Sequence, residues 1–204
     1  MLKLHGFSRS NYHCLAKACL VAKDIPFEEV KAVPNQEEDY LSKSPMGKVP
    51  CLETDQGFIS ETLAIAEYLD GIQADKPLLP TDPFARAKNL ELVLHLQLDI
   101  ELVARRCLPA AFFGASVSDE IKAQTELDLE RGIAAISRLY VCDPYATGDT
   151  LTLADLYTFY TFGLAGAIVA KIYDKDLLAD LPEVKALMSR LAETPAIREV
   201  EAAK

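Results

Sequence analysis

The hydrophobic and polar positions of the first 75 residues follow two different periods. Runs with a strand-like pattern lie at 1–6, 27–32, 49–53 and 58–60. Apolar residues three or four positions apart predict helices over 11–23, where Leu15, Cys19 and Ala22 form one stripe, and over 61–69.

A further short helix is predicted near residue 35. Asn35 followed three residues later by Glu38 is a capping-box arrangement, in which each residue satisfies a free N–H group of the other. The resulting order is β-α-β-α-β-β-α, which predicts an α/β domain with a mixed sheet.

The sequence 75–83 marks the end of this domain. It contains three prolines in nine residues, and Asp82 followed by Pro83 is typical of a helix N-terminus. Everything after it has a helical pattern. We predict a first domain over 1–75, a linker over 76–84 and an all-helical domain over 85–204. Its helices are predicted at 85–106 and 118–140, from Thr152 with Asp155 as cap partner, near Pro182 and from Ala196.

Composition limits the classes of function. Half of the 204 residues are hydrophobic, and the net charge of −10 leaves no basic surface for nucleic acid. The apolar run 151–170 contains Asp155 and several threonines and tyrosines, which favours a buried core helix over a membrane span. We therefore expect neither nucleic acid nor a membrane as a partner.

The cysteines and histidines indicate free thiols and no metal. The five cysteines are an odd number without metal-type spacing, and the three histidines form no cluster. The chain begins directly with a strand-like segment, and no export signal is predicted. Together these features predict a reducing cytoplasm.

The segment 47–62 carries the clearest chemical signal. It has a proline at the start of a strand, a turn at Gly57, and then Glu61 and Thr62 at a predicted helix start. Proline cannot donate a ladder hydrogen bond, whereas helix N-termini present free N–H groups. These features predict a pocket for a small peptide-like ligand.

Three motifs in order extend this interpretation to a family. Pro45-Met-Gly-Lys-Val-Pro50, Glu61-Thr-Leu-Ala-Ile-Ala-Glu-Tyr-Leu69 and Gly148-Asp-Thr-Leu-Thr-Leu-Ala-Asp155 resemble the motifs of cytosolic glutathione S-transferases, of the serine-type, bacterial-like kind. The resemblance covers essentially the whole chain. It implies a thioredoxin-like first domain, an all-α helical bundle, glutathione as co-substrate and a homodimer.

The resemblance also implies how glutathione would be bound. A cis peptide bond between Val49 and Pro50 would direct the Val49 backbone toward the cysteinyl part of glutathione, like an added strand. Thr62 would bind the α-carboxylate of the γ-glutamyl end and Glu61 its ammonium group. Lys48 lies beside this cleft and would meet the glycine carboxylate, unless it is simply a solvated lysine.

The catalytic group of the family lies in the loop after the first strand. Counting back from Ile25-Pro26, Ser10 falls on the catalytic serine, whose hydroxyl would stabilise the glutathione thiolate. Alternatives in the same loop stay open. Asn11 would supply an amide, Tyr12 a phenol and Cys14 a thiol, whereas Ser8 is an ordinary loop residue.

The second substrate would meet residues of both domains. Phe7, Tyr12, Arg106 and Phe113 are the candidates for the electrophile site, with Arg105 and Phe112 beside them. The two arginines could attract an anionic substrate, or they could simply favour a helix C-terminus.

The predicted activity is glutathione transfer to a hydrophobic electrophile, with glutathione-dependent peroxide reduction as a related reaction. A glutathione-dependent disulfide reductase or isomerase, or a non-catalytic binding protein on the same fold, are the alternatives.

Overall fold

The structure is a computed structural model that describes residues 1–204, and it divides into two compact units. One consists of Met1–Leu79 with Glu193–Lys204, and the other of Pro80–Ala192. The elements of the first segment are β1 (Leu2–Gly6), α1 (Asn11–Ala22), β2 (Phe27–Lys31), α2 (Glu38–Leu41), β3 (Cys51–Thr54), β4 (Gly57–Ser60) and α3 (Thr62–Ile72).

The four strands form one mixed sheet in the order β2-β1-β3-β4. β1 pairs in parallel with β2 and antiparallel with β3, and β3 pairs antiparallel with β4. Helix α1 is buried continuously from His13 to Leu20 and packs against α3. The predicted α/β fold class is confirmed.

The helix predicted at Asn35 begins later than the sequence pattern indicates. The N-cap of α2 is Glu37, and Asn35 Oδ1 instead accepts a hydrogen bond from the Glu37 N–H at 3.1 Å. The Asn35 N–H donates to the Gly47 carbonyl at 3.0 Å. This long-range bond keeps Asn35 in a turn because it ties the residue to the 47–50 segment.

The second unit is entirely helical. Its elements are α4 (Pro83–His95), a π-helical turn (Leu96–Glu101), α5 (Leu102–Ala104), a 3₁₀ turn (Arg105–Cys107), α6 (Leu108–Phe112), α7 (Asp119–Ile136), α8 (Leu153–Tyr173) and α9 (Pro182–Ala192), and α10 (Pro195–Ala202) follows in the first unit.

The single helix predicted over 85–106 is therefore interrupted twice. Pro109 accounts for the second interruption because it has no N–H to donate to the Arg105 carbonyl. The Leu108 N–H donates there instead, which tightens the turn to 3₁₀ geometry. At the π-helical turn, α7 approaches closely: a Cβ on Gly132 would lie 2.6 Å from the Asp99 carbonyl oxygen.

Helix α8 is the central helix of the second unit. The predicted capping box of Thr152 and Asp155 is present at its start. By length and composition α8 is also apolar enough to cross a membrane, but 67% of its most apolar window is buried within the fold. This is the behaviour expected of a core helix.

Both predicted domain boundaries differ from the units of the structure. Leu78 and Leu79 are buried in the first unit, and their N–H groups donate to the Asp70 carboxylate at 2.8 and 3.0 Å. At the other end, α10 packs on α1 through a buried apolar face that includes Ile197 and Val200. Residues 193–204 are therefore part of the first compact unit.

Candidate functional site

The strand pairing brings three separate segments to one end of the sheet. His5 of β1 pairs with Cys51 of β3, so the loop after β1 lies beside the residues that precede β3. Cys51 also pairs with Ser60 of β4, so the start of α3 lies at the same end. The loop with Ser10, the Val49-Pro50 bond and Thr62 thus lie at the same end of the sheet.

Ser10 is the N-cap of α1. Its Oγ accepts a hydrogen bond from the His13 N–H at 3.4 Å, and its own N–H donates to the Phe7 carbonyl at 3.0 Å. The side chain is half-buried. Because a hydroxyl can donate while it accepts, Ser10 can donate a hydrogen bond to an anion at a helix N-terminus, where the helix dipole also favours negative charge.

Of the alternatives to Ser10, the structure argues most directly against Cys14. Its thiol is buried and lies 3.1 Å from the Ser8 carbonyl, to which it donates. Burial raises the pKa of the Cys14 thiol, so it remains protonated at neutral pH and is a poor nucleophile. Ser8, Asn11 and Tyr12 are half-buried, and Asn11 and Tyr12 begin α1.

The Val49 backbone has no hydrogen-bond partner within the chain. The Val49–Pro50 peptide bond is cis, and Val49 precedes the first residue of β3. Neither the Val49 N–H nor its carbonyl forms a hydrogen bond within the chain. A peptide-like ligand can use both groups.

Tyr40 and Ser44, to which the sequence analysis assigns no role, hold the backbone of Lys48 in place just before Val49. Tyr40 Oη and Ser44 Oγ donate to the Lys48 carbonyl at 3.2 and 2.8 Å, and the Lys48 N–H donates back to Ser44 Oγ at 3.2 Å. The Lys48 side chain is itself exposed and forms no ion pair. The position of Tyr40 and Ser44 shortly before the Gly-Lys-Val-Pro motif is the sequence feature from which this role could have been inferred.

Gly47 requires glycine for two reasons. Its φ is +62°, in the left-handed region, and a Cβ would lie 2.0 Å from the Asn35 carbonyl oxygen. The backbone of Gly47 therefore lies directly against that of Asn35, two residues before Val49.

Glu61 and Thr62 occupy the N-terminus of α3. Glu61 is exposed at a φ of +70°, and its side chain does not cap the helix. Thr62 is only 5% exposed, and its Oγ1 donates to the Tyr12 carbonyl at 3.4 Å, which joins the starts of α1 and α3. Glu61 forms no ion pair, so its carboxylate can accept from a ligand cation.

His13 is a further residue near the site that sequence reasoning did not assign. It is buried, its Nε2 lies 3.3 Å from Glu29 Oε2, and a Cβ on Gly6 would collide with its ring at 2.2 Å. Burial lowers the pKa of His13, so the ring is neutral at pH 7. The electrostatic support for an anion at Ser10 therefore comes from the helix terminus and not from this imidazole.

The candidates for the electrophile site lie in different units. Phe7 and Tyr12 are half-buried in the first unit, whereas Arg106 and Phe113 are exposed in the second. Arg106 Nη1 lies 2.6 Å from Asp128 Oδ2, and Arg105 is paired with the buried Glu101 at 2.7 Å. Both guanidinium groups thus have a carboxylate partner, which weakens their attraction for an anionic substrate.

Comparison with known proteins identifies the family of this chain. Residues 4–77 match the family model "Glutathione S-transferase, N-terminal domain", and residues 115–204 match "Glutathione S-transferase, C-terminal domain". The chain is 46% identical over 204 residues to a glutathione S-transferase of Pseudomonas putida, covering 100% of this chain and 93% of that protein.

Solved structures show the same fold. A glutathione S-transferase of Methylobacterium radiotolerans in complex with glutathione sulfonate is 24% identical with a TM-score of 0.80, covering 98% of this chain and 93% of that one. A bacterial maleyl pyruvate isomerase of the zeta class is 27% identical with a TM-score of 0.78, covering 99% and 98%. With both family models matched and a full-length relative at this identity, the chain belongs to the glutathione S-transferase family.

Proposed function

We propose that this glutathione S-transferase activates the glutathione thiol through Ser10 and transfers the sulfur to a small hydrophobic electrophile. The observation that carries this proposal is the position of Ser10. Its hydroxyl lies at the N-terminus of α1, at the end of the sheet where the unpaired backbone groups of Val49 are also found. The Val49 backbone would bind the cysteinyl part of glutathione, while the Ser10 hydroxyl would stabilise its sulfur.

Glutathione would be bound along three contacts. Its cysteinyl N–H and C=O would pair with the Val49 backbone. Its γ-glutamyl carboxylate would meet the first N–H groups of α3 and the Thr62 hydroxyl, whose proton would turn from the Tyr12 carbonyl to the carboxylate, with Glu61 accepting from the ammonium group. Lys48 has an exposed side chain, and its ammonium group would meet the glycine carboxylate.

The chemical step follows from the thiolate. The thiol loses its proton to water, and the Ser10 O–H donates to the sulfur anion, which lowers the pKa of the thiol. The sulfur then forms a bond to the electrophilic carbon, and in a substitution reaction the leaving group departs with its bonding electrons. Phe7 and Tyr12, which lie on either side of Ser10 in the first unit, are proposed to contact this second substrate.

Binding to immobilised glutathione and turnover of chlorodinitrobenzene test the proposal. We expect retention, elution by free glutathione, and release of chloride as the conjugate forms. A protein that is not retained and does not turn over the substrate would be a binding or regulatory protein on the same fold.

A glutathione-dependent isomerase is the second candidate, because one similar structure is described as a maleyl pyruvate isomerase. Here Ser10 is followed by Asn11, whereas isomerase members of the family usually carry a serine-cysteine pair. Isomerisation of a maleyl-type substrate faster than conjugation would favour this candidate.

Replacing Thr62 by valine is expected to weaken glutathione binding about tenfold. The substitution keeps the shape but removes the hydroxyl, at a cost of about 1–1.5 kcal/mol for one hydrogen bond. Thr62→Ser retains the hydroxyl and is the matched control. Isothermal titration with glutathione measures both, and equal weakening by valine and serine would show that Thr62 contributes only packing.

We also propose that the protein is a homodimer, in agreement with the family resemblance. Leu94 of α4, Leu98 of the π-helical turn and Leu102 of α5 are spaced four residues apart in sequence, and they are 42%, 51% and 43% exposed. Three large apolar side chains at this spacing are typical of a surface that another chain covers.

Leu98→Glu is therefore expected to shift the protein from dimer toward a monomer of 22.4 kDa in sedimentation velocity. Leu127→Glu is the matched control, because Leu127 is 49% exposed on α7 and outside this stripe. A wild-type protein that already sediments as a monomer would contradict the dimer.

We propose a cytoplasmic location. The five cysteines are all free thiols in the structure, and four of them are buried. Free cysteines without disulfide bonds are typical of proteins in a reducing compartment.

A further inference from the structure

The second unit contains a cavity that the glutathione site does not use. Its volume is about 640 Å³, and it lies between α7, the C-terminal end of α8 and the segment 174–181. Its floor is apolar and is formed by Leu129, Ile133, Val169, Leu177 and Leu181. This volume lies in the range of sites that bind small organic molecules.

The rim of this cavity is acidic. Four carboxylates line it, those of Glu126, Glu130, Asp176 and Asp180, against the single ammonium group of Lys175.

Two of these carboxylates have no strong partner. Lys175 pairs with Glu126, which is the main reason that the pKa of Lys175 is raised, and the charge of Glu130 contributes least. Asp176 pairs with Lys185, which does not line the cavity. Glu130 and Asp180 are exposed and form neither a hydrogen bond nor an ion pair through their side chains.

We propose that this cavity binds a small hydrophobic organic cation, with the cationic centre near Glu130 and Asp180 and the apolar part on Leu129 and Val169. An apolar lining beside carboxylates without an ion-pair partner matches a ligand with the opposite charge and a large apolar surface. The net charge of −10 adds a long-range attraction for cations and repels anions. This site is independent of Ser10 and of glutathione.

A pair of probes that differ only in charge tests the proposal. Tetraphenylphosphonium and tetraphenylborate have nearly the same size and shape but opposite charges. In isothermal titration of the whole protein we expect one saturable site per chain for the cation, with the borate binding at least tenfold more weakly. Absence of saturable cation binding, or equal binding of the two probes, would overturn the proposal.

Substitutions then locate the bound cation. Glu130→Gln with Asp180→Asn removes both charges without changing shape and is expected to weaken cation binding about tenfold or more. Glu120→Gln with Glu199→Gln removes the same net charge from exposed carboxylates outside the cavity and should leave affinity within about twofold. Equal affinity in both double variants would show that the rim carboxylates do not bind the cation.

Filling the cavity provides a second, charge-independent variant. Ala134 lines the cavity and is exposed, so Ala134→Trp places a large side chain in the cavity from the surface of α7. We expect loss of cation binding with retention on immobilised glutathione. Cation binding that persists in Ala134→Trp would place the ligand elsewhere and overturn the assignment.

Discussion

Replacing Ser10 by alanine is expected to lower kcat with chlorodinitrobenzene at pH 7 by about 10–30-fold while the affinity for glutathione changes little. The hydroxyl would stabilise the sulfur in its anionic form, and without it the bound thiol would be only about 3% ionised at pH 7, as expected for a pKa of about 8.5. The substitution also removes the weak bond from the His13 N–H, which lies at 3.4 Å. Steady-state kinetics at saturating glutathione measure the effect.

Variants of the neighbouring residues separate Ser10 from its alternatives. Ser8→Ala and Cys14→Ala should each retain most of the activity, because Ser8 lies in a turn and the Cys14 thiol is buried and protonated. Asn11→Ala and Tyr12→Phe test the remaining two donors. If either of them loses more activity than Ser10→Ala, the catalytic assignment moves to that residue.

The second large effect concerns stability. Replacing Asp155 by alanine is expected to lower the free energy of unfolding by about 3–4 kcal/mol, because its buried carboxylate accepts three hydrogen bonds. Oδ1 accepts from the Ala146 N–H at 2.7 Å, and Oδ2 accepts from the Thr152 N–H at 2.8 Å and from Thr152 Oγ1 at 3.0 Å. Without the carboxylate the N–H groups of Ala146 and Thr152 lose these acceptors, whereas the Thr152 hydroxyl still accepts from Asn89 Nδ2 at 2.9 Å.

Thermal unfolding followed by circular dichroism tests this prediction. We expect Tm to fall by about 10 °C, since 1 kcal/mol corresponds to about 2–4 °C at this chain length. Asp149→Ala is the matched control, because Asp149 is an exposed carboxylate in the loop that precedes α8. A Tm that changes equally in the two variants would show that the Asp155 hydrogen bonds contribute little.

The elements with strong local signals could be predicted from the sequence. The capping box of Thr152 and Asp155 lies within one helical turn, and the structure forms it as expected. The convergence of Ser10, Val49 and Thr62 followed from the family motifs, and the strand pairing supplies its physical cause.

Features that depend on distant contacts could not be predicted in this way. Asn35 has the local pattern of a helix cap, but its bond to Gly47 holds it in a turn. The apolar face of α10 looks like that of any other C-terminal helix, and only the tertiary structure shows that it packs on α1. The roles of Tyr40 and Ser44 were hidden because both act through the backbone of Lys48.

The most direct test of the account is the pKa of the glutathione thiol when it is bound. Ultraviolet absorbance of the thiolate, followed as a function of pH, measures it in the wild-type protein and in Ser10→Ala. We expect a pKa of about 7 or below in the wild type and a value close to that of a free thiol, about 8.5, in the variant. An equally lowered pKa in both proteins would contradict the claim that the Ser10 hydroxyl stabilises the thiolate.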